Sequence, residues 1–262
     1  MTSTFDSRTE LDFALHLADL ADALTLDPFH RQNFSVDWKE NKTEVTELDR
    51  ATERLIADEI ARLRPEHSLL GEEFGAVSAG DGSFTWIIDP IDGTSNYARG
   101  NPVWATLIAL VDANDETLVS VVSAPALGSR WWATRGGGAF NTRGQLHVSN
   151  VRSLADAQVS TTYSPEWDAA GGGEKLLQLQ RSAYRARGFG DFWQHMLVAE
   201  GSCDAAVDAI GLQPYDTAAI TLIVREAGGT FTDRLGNPSF RNGSAVTSNG
   251  HLHQAVLDII RC

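Results

Sequence analysis

The spacing of apolar residues divides the chain into helical and extended segments. Apolar positions that recur every three or four residues are typical of amphipathic helices, and short apolar runs between turn residues are typical of buried strands. We therefore predict helices over 11–26, 46–64, 174–181, 192–200, 215–227 and 251–260. We predict strands over 68–70, 86–88, 104–112, 117–124, 130–134, 157–162, 184–188 and 205–208, a polar hairpin or loop over 33–43, and a terminal hairpin starting at 231–233.

The order of these elements predicts the fold class. Helices and strands are interspersed, and no repeat, low-complexity tract or linker interrupts them. This pattern favours an α/β fold in which helices and mixed sheets form layers around a shared core. We predict one compact unit over residues 1–262.

Composition and charge narrow the function classes. The chain has 262 residues, of which 42% are hydrophobic and 21% charged, and its formal net charge is −14. This acidity argues against a nucleic-acid partner, because no basic stripe is available to neutralise phosphates. No apolar run approaches the length of a membrane span and no apolar signal core follows Met1, so no membrane association is expected. The two cysteines, Cys203 and Cys262, lack metal-binding spacing and predict a cytoplasmic protein without a structural disulfide.

The most informative segment follows the strand at 86–88. Asp89 and Asp92 stand three positions apart, and Gly93-Thr94-Ser95 comes directly after them. Carboxylates at a strand end suit the oxygen-rich coordination that Mg²⁺ prefers. A helix beginning at the Gly-Thr-Ser turn would offer free N–H groups to a phosphate oxyanion. Together these features indicate metal-assisted phosphoryl chemistry, with a solvated turn and a simple helix cap as the alternative.

Further acids stand at the ends of other predicted elements. Glu72 and Glu73 follow the strand at 68–70, and Asp216 opens the helix at 215–227. Carboxylates from separate elements can hold two Mg²⁺ ions about 4 Å apart, which activate a water and stabilise the leaving oxygen. Taken singly, each acid is typical of a helix cap or a surface position, and Asp216 of an N-cap. Glu73 either supports the site or is solvated.

Motifs across most of the chain resemble the inositol monophosphatase family. The family's order and spacing recur in Gly71-Glu72-Glu73, in Trp86-Ile-Ile-Asp-Pro-Ile-Asp-Gly-Thr94, and in Tyr215-Asp216 with Arg225-Glu226-Ala227-Gly228-Gly229; weaker matches are Val45-Thr46…Asp49, Arg135-Gly136…Gly138-Ala139 and Val198-Ala199-Glu200-Gly201. Together they span roughly residues 39–230. The resemblance implies a layered α-β-α-β-α sandwich of the inositol monophosphatase and fructose-1,6-bisphosphatase type. It also implies a metal-binding half over about 1–150, an α/β half over about 151–262, and a homodimer that hydrolyses phosphate monoesters with Mg²⁺.

The resemblance further implies which residues form the site. The ligands of two or three Mg²⁺ ions would be Glu72, Asp89, the Ile91 carbonyl, Asp92 and Asp216. Glu72 would also take part in catalysis, and Thr94, supported by Asp49, would orient the attacking water. A plain helix cap is the alternative for Asp49. The phosphate would bind to the N–H groups of Gly93, Thr94 and Ser95.

Two departures from the family pattern bear on the substrate. Asp191 stands where many members have a small neutral residue, and Ala209 stands where inositol phosphatases have a glutamate that accepts ring hydroxyls. Asp208, one position earlier, is expected to be out of register with that role. An added carboxylate beside an anion site favours a substrate that also carries a cation, because a neutral partner leaves the carboxylate without a counter-charge. The alternative for Asp191 is a cap on the helix at 192–200.

The substrate that meets this expectation is L-histidinol phosphate, which has an amine and an imidazole, and the segment around Asp191 is similar to the histidinol-phosphatase branch of the family, which acts in histidine biosynthesis. Tyr97, Trp104 and Phe192 would either stack on the imidazole or belong to the core. Arg99 would either approach the phosphate or cover the surface. The alternatives are phosphatases for inositol 1-phosphate, nucleotide 3′-phosphates or sugar bisphosphates, and a non-catalytic scaffold, against which the intact set of acids argues.

Overall fold

The computed structural model describes residues 5–38 and 44–261. Within these two ranges the α-helices are α1 (Ser7–Arg31), α2 (Glu47–Leu63), α3 (Thr94–Ala98), α4 (Pro165–Ala169), α5 (Gly173–Ser182), α6 (Asp191–Ala199), α7 (Pro214–Glu226) and α8 (His253–Ile260). The strands are β1 (Val36–Trp38), β2 (Glu44–Thr46), β3 (Ser68–Gly71), β4 (Gly75–Val77), β5 (Phe84–Asp92), β6 (Ala105–Asp112), β7 (Thr117–Ala124), β8 (Ser129–Thr134), β9 (Gly138–Asn141), β10 (Gly144–Gln145), β11 (Gln158–Thr161), β12 (Arg185–Arg187), β13 (Ala205–Ile210), β14 (Thr230–Thr232) and β15 (Ser244–Ser248).

The six predicted helices are confirmed, and α1 is longer at both ends than its apolar pattern indicates. Its first turn is capped by the Asp6 carboxylate, which accepts a hydrogen bond from the Arg8 N–H, and it ends where Gln32 adopts the left-handed conformation (φ 51°). The predicted strands are also confirmed. Helix α4 and strands β4, β9 and β10 were not predicted, because elements of two to five residues are too short to show a period.

Strand β1 lies within the predicted polar hairpin or loop over 33–43, whereas its antiparallel partner β2 lies beyond that range, with Val36 opposite Thr46. Residues 39–43 of that prediction lie outside the described residues, as does Cys262. Cys203 is a buried free thiol. None of the described helices combines the length and the apolar character needed to cross a membrane.

The larger sheet has eight strands in the order β10-β9-β8-β7-β6-β5-β3-β4. Its neighbours are antiparallel except β3 and β5, which run parallel. Strand β5 is buried on both faces, which explains why its sequence is a continuous apolar run rather than an alternating one. Trp86 and Ile88 pack against α1 and α2 on one face, whereas Ile87 faces α6 and α7 on the other.

The smaller sheet has five strands in the order β12-β11-β13-β15-β14. Helices α6 and α7 contact one of its faces, and α4, α5 and α8 cover the other with side chains such as Trp167, Leu176 and Leu257. Because α7 lies between two sheets, it is apolar on nearly every side, from Ala218 to Val224. The layers therefore follow the order α-β-α-β-α, and the expected sandwich is confirmed.

Candidate active site

A β-bulge at the end of β5 brings two of the predicted metal ligands to one side of the sheet. Asp89 lies opposite Leu107 of β6 and Asp92 lies opposite Ala105, so β5 has one extra residue between them. In a regular strand, residues three apart point to opposite faces, and the bulge removes this difference. Pro90 is tolerated there because a bulge leaves a residue out of the hydrogen-bond ladder.

The third carboxylate of this group comes from the first turn of α7. Oxygens of Asp89, Asp92 and Asp216 lie within 4.8 Å of one another. Asp216 also accepts a hydrogen bond from the Gln213 N–H at 2.6 Å, as the third helical residue of a capping box whose N-cap is Gln213. The interpretation of Asp216 as the N-cap itself is therefore wrong, but its carboxylate both stabilises the start of α7 and faces the other two acids.

The electrostatics of these three acids favour a bound cation. Burial raises the pKa of Asp89 well above its usual value, and the charges of Glu72, Asp92 and Asp216 raise it further. Burial and the charges of Asp191 and Asp216 act in the same direction on the pKa of Asp92, and the pKa of Asp216 is raised to about 7, mainly by burial. Like charges gathered with little solvent are costly unless a cation neutralises them, and an all-carboxylate donor set suits Mg²⁺, Ca²⁺ or Mn²⁺.

Glu72 stands in the turn after β3, outside the group of three acids, but its charge contributes to the raised pKa values of Asp89 and Asp216. A buried residue of α2, Glu53, holds this turn. Its carboxylate accepts the N–H groups of Glu73 at 2.7 Å and Phe74 at 2.9 Å.

Glu53 also requires a glycine at position 71, because a Cβ on Gly71 would overlap the Glu53 carboxylate. Our sequence analysis missed this residue. The sequence did contain a signal, because Glu53 is an acid on the face of α2 that the apolar period assigns to the core. In the structure its side chain is fully buried.

Thr94 and Asp49 are in direct contact. The Thr94 hydroxyl lies 3.0 Å from Asp49 Oδ1 and 2.9 Å from the carbonyl of Ile91, and it can donate to either. The other Asp49 oxygen accepts the N–H and the hydroxyl of Thr46 in the capping box of α2. Burial raises the pKa of Asp49 to about 6. Asp49 is thus a helix cap that also contacts Thr94.

The predicted phosphate turn begins at Gly93, which has φ 82° and precedes the short helix α3. A side chain at Gly93 would be strained at this φ and would lie 2.9 Å from the Val103 carbonyl. No side chain caps the N-terminus of α3. The Ser95 hydroxyl donates to Glu44 Oε1 at 3.3 Å, and the guanidinium of Arg99 lies 3.9 Å from the same oxygen while being 75% exposed.

Asp191 lies beside this turn, although it is nearly 100 residues away in sequence. Its Oδ2 accepts a hydrogen bond from Asn96 Nδ2 at 2.8 Å and lies 3.5 Å from the position a Cβ would take at Gly93. It adopts the left-handed conformation (φ 47°), and α6 begins without a side-chain cap, so Asp191 does not act as the helix cap. Burial raises its pKa to about 6.

The aromatic residues offered as stacking partners for an imidazole belong to the core. Tyr97 and Trp104 are fully buried and pack with Phe29, and the Tyr97 hydroxyl donates to the Thr25 carbonyl at 2.7 Å. Phe192 is also buried, and its N–H donates to Asp92 Oδ2 at 2.8 Å. The stacking interpretation is therefore wrong for Tyr97 and Trp104, whereas for Phe192, which lines the active-site cavity, it stays a prediction.

A cavity of about 150 Å³ adjoins the acids, and its walls include Asp92, Asp191 and Asp216. Asp208 and Ala209 of β13 also line it. The expectation that Asp208 is out of register with the glutamate of inositol phosphatases stays a prediction, although Asp208 does line this cavity. Strand β13 has a register irregularity at this position, so two successive residues line the same cavity.

Comparison with known proteins agrees with this geometry. The family model described as the inositol monophosphatase family matches residues 6–262. The chain is 46% identical over 260 residues to a Streptomyces coelicolor protein named histidinol-phosphatase, with 96% of this chain and 97% of that protein covered. It is 44% identical over 259 residues to a Mycobacterium tuberculosis protein of the same name, with the same coverage of 96% and 97%.

Solved structures agree as well. The extragenic suppressor protein suhB of Bartonella henselae superposes with a TM-score of 0.89 at 28% identity, with 97% of this chain and 98% of that chain covered. The similarity thus extends over the whole sandwich and includes both sheets. The chain belongs to the inositol monophosphatase family.

Proposed function

We propose that this chain is a phosphoric monoester hydrolase that releases phosphate from L-histidinol phosphate in histidine biosynthesis. The observation that carries the proposal is the position of Asp191, a carboxylate beside the turn to which we assign the phosphate. The 46% identity to a protein named histidinol-phosphatase supports the same substrate.

The carboxylates gathered at the end of β5 are suited to Mg²⁺. The proposed ligands of two or three ions are Glu72, Asp89, the Ile91 carbonyl, Asp92 and Asp216. Bound Mg²⁺ would supply Lewis acidity, which lowers the pKa of water and neutralises charge on the phosphate and the leaving oxygen. The chain's own contribution is to gather acids whose pKa values are raised by burial and mutual repulsion, and so favour a divalent partner.

Thr94 is proposed to orient the attacking water. When its hydroxyl donates to Asp49 Oδ1, its lone pairs are left to accept a hydrogen bond from the water. Asp49 is fixed by its two contacts with Thr46, so the hydroxyl direction is set before the substrate arrives. We propose that Glu72 takes part in catalysis together with Thr94 and Asp49.

The phosphate is proposed to lie on the N–H groups of Gly93, Thr94 and Ser95. The bare Gly93 lets the backbone come close to an oxyanion, and no side chain competes for the start of α3. Asp191 on the edge of this turn would repel a second anion but attract an ammonium on the same substrate molecule. This combination favours an ester that carries a positive charge near its phosphate.

The main alternative is inositol 1-phosphate, and the other family substrates are nucleotide 3′-phosphates and sugar bisphosphates. None of these offers a cation to Asp191. Ala209 lines the cavity and has no side-chain acceptor for ring hydroxyls, whereas the neighbouring Asp208 carboxylate offers one. The absence of a cation is therefore the feature that disfavours the polyol esters.

The decisive experiment compares phosphate release from histidinol phosphate, inositol 1-phosphate, a nucleotide 3′-phosphate and fructose 1,6-bisphosphate, with Mg²⁺ and with EDTA. We expect kcat/KM for histidinol phosphate to exceed the others by about tenfold or more, since one charged hydrogen bond is worth about that factor. A preference for inositol 1-phosphate would refute the substrate and keep the reaction class. Phosphate release from no ester would support the scaffold.

We also propose that the enzyme acts in the cytoplasm as a homodimer. The proposal rests on the scarcity of cysteine and on the resemblance to the family. Sedimentation equilibrium should give twice the chain mass of 28.4 kDa. A species of single-chain mass at micromolar concentration would refute the dimer.

A further inference from the structure

A second β-bulge lies in the wall of the active-site cavity. Between Val207 and Ile210, strand β13 has one more residue than its antiparallel partner β15. Successive residues of a regular strand point to opposite faces, yet Asp208 and Ala209 both line the cavity. Asp208 lies on the face of β13 that α6 covers, where it contacts His195, and the bulge brings Ala209 to the same cavity.

The Asp208 side chain is held in a fixed orientation. Its Oδ2 lies 2.9 Å from Nε2 of His195, and its Oδ1 accepts the Ala209 N–H at 2.7 Å. His195 is fully buried, and its Nδ1 lies 2.9 Å from the hydroxyl of Thr247. A carboxylate has about four acceptor positions, so these two contacts leave others for a ligand in the cavity. A carboxylate fixed before binding loses little conformational entropy when it accepts a further hydrogen bond.

The two acids of the cavity that are not proposed metal ligands differ in their position relative to the phosphate turn. Asp191 accepts a hydrogen bond from Asn96 beside that turn, whereas the Asp208 side chain contacts His195 of α6 and the Ala209 N–H. In histidinol phosphate the amine is attached next to the ester carbon, and the imidazole is attached further along. Asp191 is thus placed for the amine, and Asp208 for the ring.

We propose that Asp208, oriented by His195, is a specificity residue that accepts the imidazole N–H of the substrate. This inference rests on the proposed function and deepens it, because it divides recognition of one substrate between two carboxylates. Neither acid is a proposed ligand of Mg²⁺, so both can be altered without removing a metal ligand.

The test uses three phosphate esters with the Mg²⁺-loaded enzyme: histidinol phosphate, 2-aminopropyl phosphate, which lacks the ring, and glycerol phosphate, which lacks both cations. Asp208→Asn should raise KM for histidinol phosphate about tenfold, since it removes a charged acceptor, and should change kcat little. Its KM for the two smaller esters should stay within about threefold of the wild-type value. Asp191→Asn should raise KM for both amine-bearing esters.

The matched control is Asp204→Asn, which alters the residue directly before β13. Asp204 is also buried, but it binds Ser149 and the Gln158 N–H away from the cavity. It should leave all three KM values unchanged even if it lowers Tm. An Asp208→Asn enzyme with an unchanged KM for histidinol phosphate would overturn the inference, whereas a wild-type enzyme inactive on that ester would overturn the proposed function.

A second measurement needs no variant and covers the case in which Asp208→Asn does not fold. Inhibition of the wild-type enzyme by histidinol should be about tenfold stronger than inhibition by 2-aminopropanol, because only histidinol has the ring. Equal inhibition by the two amines would overturn the inference.

Discussion

Two β-bulges form two walls of one cavity, but they leave very different traces in the sequence. The bulge of β5 contains Pro90 and is followed by Gly93, so its two acids stand in an obvious turn motif. The bulge of β13 contains only Asp208 and Ala209 in a plain apolar strand. In our proposal the first wall carries the chemistry that every phosphate ester shares, and the second wall, which also includes Asp191 of α6, carries the choice of ester.

The two walls differ in how their residues are arranged along the sequence, and this difference made the reaction class easier to predict than the substrate. The residues of the first wall come mainly from one continuous segment, whose glycine and proline have a direct physical meaning. The second wall is assembled from contacts between distant segments, such as Asn96 with Asp191 and His195 with Asp208. Variants on the first wall should therefore lose activity on every ester, whereas variants on the second wall should lose it selectively.

The largest expected effect is the loss of activity on all substrates in Asp92→Asn. Asp92 belongs to the group of three acids, and replacing a charged ligand by an amide weakens the metal site for every ester alike. We expect kcat/KM to fall by about a thousandfold or more for each ester. Asparagine can still accept the Phe192 N–H, so circular dichroism and Tm should show an intact fold. Activity near the wild-type level would refute the assignment of Asp92 to the metal.

A smaller and selective loss is expected from Asp191→Asn on the other wall. The amide oxygen can keep the contact with Asn96, but the negative charge that attracts the ammonium is lost. KM for histidinol phosphate should rise about tenfold to a hundredfold, and KM for glycerol phosphate should change little. Equal losses on both esters, measured in one assay series, would remove the distinction between the two walls.

The same distinction explains how much could be predicted from the sequence. The helices, the strands and the sandwich follow from apolar periodicity and the family motifs, because burial imposes the period on the sequence. The joint position of Asp208 and Ala209 on one cavity wall was not predicted, because a single extra residue in a strand changes the alternation of the residues after it and has no compositional signal. Glu53 was missed because an acid on an amphipathic helix is normally solvated, and only its contacts with the turn at 71–74 reveal its role.

Glu53→Gln tests whether a residue outside the segment at 89–95 contributes to the metal site of the first wall. A glutamine keeps one acceptor but turns an N–H₂ group toward the N–H of Glu73 or Phe74, which loosens the turn that carries Glu72. Residues that orient metal ligands typically contribute about tenfold to a hundredfold in metal affinity. We expect Mg²⁺ or Mn²⁺ binding, measured by calorimetry, to weaken about tenfold. Glu59→Gln is the matched control, since Glu59 is on the same helix and pairs with His16 and Arg62 instead. Equal metal affinity in the two variants would mean that Glu53 does not contribute to the metal site.

The smallest expected effect is on the pH dependence of stability in the metal-free protein. The pKa values of Asp216 and Asp49 are raised by burial to about 7 and about 6, above the 3.8 expected in the unfolded chain. The folded state therefore binds protons more tightly, and its stability falls as pH rises through these values. His253, whose pKa is lowered by burial to about 4, acts in the opposite sense, but mainly below its unfolded value of 6.5.

The acids dominate the window from pH 6.5 to 8, because the imidazole of His253 is neutral in the folded state and loses its remaining charge in the unfolded state within the first pH unit. In EDTA the free energy of unfolding should fall by about 1 kcal/mol across this window, mostly through Asp216. Because the pKa values of Asp89 and Asp92 are raised as well, the fall should become smaller in Asp216→Asn but stay at the wild-type size in Asp204→Asn, which alters a buried acid outside the site. Saturating Mg²⁺ should reverse the slope, since the ion binds the deprotonated carboxylates and stabilises the fold more as pH rises. Urea unfolding at the two pH values measures all four cases. A flat profile in EDTA would mean that the first wall carries no excess charge for a metal to neutralise, and the contrast between the two walls would then rest on geometry alone.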